Sequence, residues 1–307
     1  MTYSTLSTQA GPFLAMTGLT LAEFRELLPA FEAAYERAYP ADRTADGRAR
    51  QRWPGAGRPS VLARAEDKVL FVLVYLKTYP LQVVLGQLFG ISTSQANYWL
   101  HHLLPVLRAA LDELGVAPER DGARLARRPA GAGGPGVVII DGTERRRQRP
   151  KDAGRQARHY SGKKKAHTDK NVVLTRAADD RVLFLSGTYA GATNDKRSAD
   201  EEHLRYPPGT TLYKDAGFQG YEPAVQQTCQ AKKKPRGREL TGAEKRANRR
   251  LAKLRVRVEH AIAGVKRSRI VKDVFRNKTP ELSDESMEAA CGLHNLRVKH
   301  RKRRRKS

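Results

Sequence analysis

The segment GVVIIDGTE, residues 136–144, decides the fold. A short apolar run rich in Val and Ile, bounded by glycines, reads as a buried strand, here one that ends in an acid, Asp141. The same texture returns in TTLYKDAGFQGY, residues 210–221, where a second strand ends in Asp215. Burying an acid beside Val-Ile-Ile without a partner is costly. In α/β sheets, functional groups gather at the carboxyl ends of strands. An Asp followed closely by Gly is also how a plain turn or helix cap looks, so each acid alone has a second, structural reading.

Between these two lie KKAHTDKNVVLTRAAD and DRVLFLSGTYAG, two further strands joined by a turn at Asp179 and Asp180. A polar helix is expected over 194–204, and residues 241–300 read as mainly helical. Upstream the texture is different. Residues 18–39 open with Thr20 and Glu23 at capping-box spacing, and Phe24, Leu28, Phe31 and Tyr35 form one apolar helical face. A polar loop is expected over 40–60 and a second apolar helix over about 63–78. LQVVLGQLFGISTSQANYWLHHLLPVLRAAL then reads as a helix-turn-helix over about 81–108, with Gly90 at the turn and Ser92 capping the second helix. Thr93, Ser94, Gln95 and Asn97, short and polar at the start of that helix, are the candidates for contact with base edges or phosphates; an ordinary helical hairpin is the alternative.

The expected organisation is a helical domain over 1–115, a Gly/Pro/Ala/Arg linker over 116–135, an α/β body over 136–296 and a basic tail over 297–307. That tail, RVKHRKRRRKS, has eight Lys or Arg residues in eleven and is expected to be a disordered phosphate-gripping arm. The whole chain of 307 residues carries a formal charge of +26, which draws it to polyanions, nucleic acid first. No run of 18 apolar residues occurs, so a membrane span is excluded, and the N-terminus lacks the features of a secretion signal. Two cysteines in unrelated segments, Cys229 and Cys291, fit a reduced cytosol and argue against a zinc site.

The third acid of interest lies in RLAKLRVRVEHAIAGVKRSR, residues 250–269. Glu259 stands four residues after Arg255 and seven before Lys266, so helical periodicity puts all three on one stripe. One reading is a salt bridge. The other is that Glu259 joins Asp141 and Asp215 around Mg²⁺ or Mn²⁺, two ions per site, in the arrangement that serves phosphodiester chemistry, while Arg255 and Lys266 face the DNA backbone. Glu144, three residues after Asp141, and Asp195, opening a helix, are competing acids for such a site, with surface or capping roles the leading reading of each. Arg145, Arg146, Arg147, Arg149, Lys163, Lys164 and Lys165 cluster near Asp141 in sequence and are the phosphate-contact candidates.

Asp141 in VIIDGTE, Asp215 in YKDAGFQGY and Glu259 in RVRVEHAIAGVKR resemble the three acids of a DDE transposase. The resemblance is closest to bacterial insertion-sequence transposases of the insertion-sequence-five kind and to Harbinger-type nucleases. It spans the helix-turn-helix to GLHNLRVKH at 292–300, and includes YSGKKKAHTDKN at 160–171 and the cations at Arg255 and Lys266. It departs at Ala252, where relatives often carry Tyr. The resemblance implies an RNase H-like fold with the first Asp on the first strand, the second after the fourth, and the Glu on a following helix. It implies a cytoplasmic, nucleoid-associated enzyme that cuts double-stranded DNA at the element's terminal inverted repeats and joins the freed ends to target DNA. Synapsis of two ends implies a homodimer or higher assembly. The rival readings are a non-catalytic DNA-binding regulator or domesticated relative, and an RNase H-like nuclease without strand transfer.

Overall fold

A computed structural model describes residues 1–43, 48–49, 60–127, 136–232, 234, 237 and 239–304. Most of the loop expected over 40–60 therefore lies outside the described residues. The chain divides into two compact units. One comprises Met1–Ala117, Lys266–Lys272 and Glu285–Ser307, the other Pro118–Val265 and Asp273–Asp284.

The first unit opens with α1 (Tyr3–Leu6), α2 (Ala10–Thr17), α3 (Leu21–Ala38) and α4 (Ala65–Thr78), followed by α5 (Gln82–Phe89) and α6 (Thr93–Glu113). The expected capping box forms at α3: Thr20 Oγ1 accepts from Glu23 N at 3.3 Å, and Glu23 Oε2 accepts from Thr20 N at 2.7 Å. α4 is buried continuously from Asp67 to Leu76, which explains why its sequence is apolar on every face. Gly90 ends α5 with φ 67°, a conformation that favours glycine, and the chain enters α6 at Ser92, whose Oγ accepts from Gln95 N at 3.2 Å. The α5–turn–α6 unit has the helix-turn-helix form expected.

The second unit is a sheet with helices. Its elements are β1 (Val137–Arg146), α7 (Ala153–His159), β2 (Tyr160–Ser161), β3 (Ala166–Arg176), β4 (Val182–Leu185), β5 (Tyr189–Ala190), α8 (Asp195–Glu201), β6 (Thr211–Lys214), β7 (Gln227–Gln230) and α9 (Gly242–Val265). β1 pairs antiparallel with β3 and β3 with β4, while β6 pairs parallel with β1 and β7 with β6. The path β4–β3–β1–β6–β7 is the mixed order of an RNase H-like sheet. If the two-residue strands β2 and β5 are set aside, β6 is the fourth strand, as the resemblance implied. Alternation along β1 and β6 builds two apolar layers. Val138, Ile140, Leu212 and Phe184 lie in one with Ala199 of α8, while Ile139 and Tyr213 pack in the other with Val258 and Ile262 of α9.

Three expectations need correcting. Asp141 does not end its strand. β3 is long enough to keep pairing through Arg146↔Thr168, whereas β6 stops at Ile140↔Lys214, so Asp141 stands where only the parallel partner ends. The segment over 116–127 is not a free linker: Glu119 pairs with β4 through Leu183 and Leu185, and Leu125 is buried in the sheet's core. Residues 128–135 lie outside the described set. The basic tail is also not an arm as far as Arg304, because α10 (Pro280–Arg304) runs through it. Its early turns belong to the sheet unit, where Asp284 pairs with Arg120 and accepts from Thr188 Oγ1 at 2.6 Å. From Glu285 onward it belongs to the helical unit. There Glu285 and Glu288 hold Arg108 at 2.9 and 2.7 Å, Val298 is buried, and Lys299 reaches Glu26 at 2.6 Å.

Candidate active site

Asp141 and Asp215 each follow the last parallel pair, Ile140↔Lys214, on neighbouring strands whose backbones run about 4.8 Å apart. By alternation Asp141 shares the face of Ile139, the layer against which α9 packs. Asp215 caps the short turn Ala216–Phe218, with Oδ1 accepting from Ala216 N. Its other oxygen, Oδ2, meets an Arg255 guanidinium nitrogen at 2.9 Å. Asp141 Oδ1 accepts from Gly142 N at 2.8 Å. Burial is the largest influence on Asp141 and pushes its pKa from 3.8 up to about 6. The Gly142 N–H and Arg255 oppose that rise, while the charges of Asp215 and Asp195 add to it.

Glu259 lies on α9 one turn beyond Arg255, with its side chain exposed. Among the described residues no three His, Cys, Asp or Glu side chains stand together as a ready-made ion cage. Arg255, expected to face a DNA backbone, instead neutralises Asp215. The two aspartates nevertheless fit a hard divalent cation: they are paired oxygen donors on one sheet face, one of them resisting ionisation, and a bound cation reverses that penalty.

Asp195 and Glu144 sit differently. Asp195 opens α8, and its Oδ1 lies 2.9 Å from the Lys170 ammonium. Glu144 lies 4.0 Å from the same ammonium and accepts from Thr168 Oγ1 at 2.9 Å. The signal for Asp195 was present in the sequence as an acid opening the helix after GATN, but its proximity to Asp141 depends on the sheet.

The cations separate into groups. Arg145 is not a DNA contact. It is 3% exposed and donates to Ser283 O at 2.6 Å, Asn171 Oδ1 at 2.8 Å and Thr188 Oγ1 at 3.1 Å, because alternation along β1 turns it inward. Arg147 pairs with Asp169 at 2.8 Å, while Arg146 is exposed. Arg147, Arg149, Lys151, Arg155 and Lys278 line a cavity of about 450 Å³ beside Phe275. Lys163, Lys164 and Lys165 are exposed in the turn between β2 and β3. Lys266 is the first residue past α9 and belongs to the helical unit.

In the helix-turn-helix, Thr93, Ser94, Gln95 and Asn97 are all exposed on the first turns of α6. Gln95 Oε1 accepts from Ser92 N at 3.0 Å and Asn97 Nδ2 donates to Gln82 Oε1 at 3.3 Å. Leu81, Val83, Val84 and Tyr98 are exposed on the same two-helix unit. No Lys, Arg, Asp or Glu occurs between Lys77 and Arg108, so phosphate contacts made there use no lysine or arginine.

Among the described residues no helix is long and apolar enough to cross a membrane. Residues 140–295 match the family described as DDE superfamily endonuclease, and residues 61–113 match the helix-turn-helix of DDE superfamily endonuclease. The chain is 25% identical over 241 residues to a probable transposase for insertion sequence element IS702 from Microchaete diplosiphon, covering 78% of this chain and 83% of that protein. It is 28% identical over 220 residues to a putative transposase for insertion sequence element IS112 from Streptomyces albus G, covering 71% and 74%. No solved structure matches. The RNase H-like sheet, the paired aspartates beyond its central parallel pair, and a family match across the sheet and its following helices agree, and the chain belongs to the DDE superfamily endonucleases.

Proposed function

We propose that the protein is the transposase of a bacterial insertion sequence, cutting DNA at the element's ends and transferring the freed strands to target DNA. The observation that carries this reading is the placement of Asp141 and Asp215 side by side past the last β1–β6 pair, with α9 packed on their face. Asp141, Asp215 and Glu259 are the residues that would hold Mg²⁺ or Mn²⁺, two ions per site. Bound there, such ions activate an attacking water or hydroxyl and stabilise the leaving oxygen.

The chain's own groups orient the DNA. Arg255 releases Asp215 and turns to a phosphate near the scissile bond, and Lys266 grips the backbone further along. In the first step water oxygen bonds to the phosphorus at the element's end and the 3′ oxygen leaves as a hydroxyl. In the second, that 3′-hydroxyl attacks a target phosphodiester and the target's own 3′ oxygen leaves. No covalent protein–DNA intermediate is involved.

Thr93, Ser94, Gln95 and Asn97 read the terminal inverted repeats. Val83, Val84 and Tyr98 beside them suit thymine methyl groups better than phosphates. Arg146, Arg147 and Lys163–Lys165, with the cavity at Arg149 and Lys278, form the phosphate path on the sheet unit. The helical unit up to the boundary at Ala117/Pro118 serves recognition, the sheet unit serves chemistry, and two copies meet when two ends are paired. The work takes place in the cytoplasm on nucleoid DNA. Duplexes carrying the element's ends test this reading: gel shifts locate binding, and nicking in Mg²⁺ or Mn²⁺ but not EDTA, lost in Asp215→Asn, is expected. Binding without nicking under any metal would leave only a DNA-binding protein.

A further inference from the structure

We propose that Asp195 is a positioning residue of the carboxylate site. Its side chain, anchored by Lys170, fills the space between the chain just after Asp141 and the chain just after Asp215 and so fixes the separation of the two. The inference rests on the reading that this pair holds the metal.

The evidence is a double close approach. A Cβ placed on Gly142 would lie 2.8 Å from Asp195 Oδ1, and one placed on Gly217 would lie 2.6 Å from Asp195 Oδ2. The two oxygens of one carboxylate therefore each lie over a different glycine. Gly142 follows Asp141 directly, and Gly217 comes two residues after Asp215. Neither glycine has a positive φ, so backbone conformation does not require glycine at either place. What both places require is the absence of a side chain, and Asp195 occupies that space.

Asp195 is also held firmly from behind. Lys170 is 7% exposed, and its ammonium lies 2.9 Å from Asp195 Oδ1 while donating to Thr193 O at 2.6 Å. A buried cation holds its carboxylate partner strongly, because separating them leaves a charge without compensation. Asn194 caps α8 through Lys196 N at 2.8 Å, and Ser198 and Ala199 are fully buried, so the helix that presents Asp195 is itself fixed. The paired hydrogen bonding of β1 and β6 stops at Ile140↔Lys214, and Asp195 bridges the two exits just beyond it. A small, octahedral cation tolerates little variation in the distance between its carboxylates, which is what such a bridge controls.

The test measures Mn²⁺ affinity of the full-length protein by calorimetry, with thermal melts as a check on folding. The variants are Asp141→Asn, Asp195→Ala, Asp195→Asn, Gly142→Ala and the double variant Gly142→Ala/Asp195→Ala. Asp195→Asn keeps the shape and an oxygen that accepts from Lys170 but gives up the ion pair, and is expected to lose clearly less affinity than Asp195→Ala and Gly142→Ala, which each lose about tenfold or more. In the Asp195→Ala background Gly142→Ala is expected to cost nothing further, because the group it displaces is gone. Asp195→Ser makes the same comparison if the alanine variant does not fold. Parent-like affinity in Asp195→Ala, multiplying losses in the double variant, or an Asp195→Asn loss equal to that of Asp195→Ala would each overturn the proposal. A failure of the underlying metal reading shows separately, as unchanged Mn²⁺ binding in Asp141→Asn.

Discussion

Replacing Asp141 by Asn is expected to stabilise the metal-free protein, and the gain should depend on pH. Burial raises the Asp141 pKa from 3.8 to about 6, so the folded state prefers the neutral carboxyl. A group whose folded pKa lies above its unfolded value supports the fold fully below the unfolded value. It loses that support as pH rises through the folded one. A shift of roughly 2 units at about 1.4 kcal/mol per unit makes the ionised Asp141 cost about 3 kcal/mol at pH 7–8. Asn has the same shape, keeps the acceptor for Gly142 N and cannot ionise. Asp141→Asn should therefore gain about 3 kcal/mol at pH 8 and only about 1 kcal/mol near pH 4.5. At about 2–4 °C per kcal/mol, the melting temperature at pH 8 should rise by roughly 6–12 °C. Thermal or urea unfolding in EDTA across this range is the assay. No gain at pH 8, or the same gain at both pH values, would refute the reasoning. Saturating Mg²⁺ should narrow the difference by stabilising the parent alone.

Three further outcomes are expected. Arg145→Ala should destabilise the sheet unit by about 3 kcal/mol in urea unfolding, because it removes a buried guanidinium with partners on Ser283, Asn171 and Thr188, and should leave the salt dependence of DNA binding unchanged. Changing Lys163, Lys164 and Lys165 together to Gln should reduce the slope of log affinity against log salt by about 2.5–3 without lowering stability, since all three are exposed. Glu259→Gln should abolish end cleavage while altering stability by no more than about 0.5 kcal/mol, as expected of an exposed side chain; retained cleavage would remove Glu259 from the site.

Much of this fold could be read from the sequence, where local chemistry and long-range pairing agree. Thr20 with Glu23 and Ser92 with Gln95 are capping boxes whose spacing is itself the structure. The strands around 139, 173 and 212 are apolar because both faces are covered, which gives a strong signal. Asp141 reads as a strand end because the length of β1 is set by β3, a partner invisible in its own residues. Arg145 looked like its neighbours in TERRRQR, and only alternation against Ser283, far along the chain, turns it inward. The tail differs from its expectation for a related reason: its charge predicts an arm, while the burial of Val298 and the Lys299–Glu26 pair hold it as helix. The part played by Asp195 depends on space next to two glycines, and no periodicity in one chain reports that.

The most direct measurement is strand transfer on DNA that carries the element's own terminal repeats, comparing the parent protein with Asp215→Asn in Mg²⁺, Mn²⁺ and EDTA. The account predicts products in which the element's 3′ ends are joined to target DNA, formed only with metal and only by the parent. Nicked ends with no joined product would make the protein a nuclease. Joined product from Asp215→Asn would contradict the placement of the chemistry at the paired aspartates.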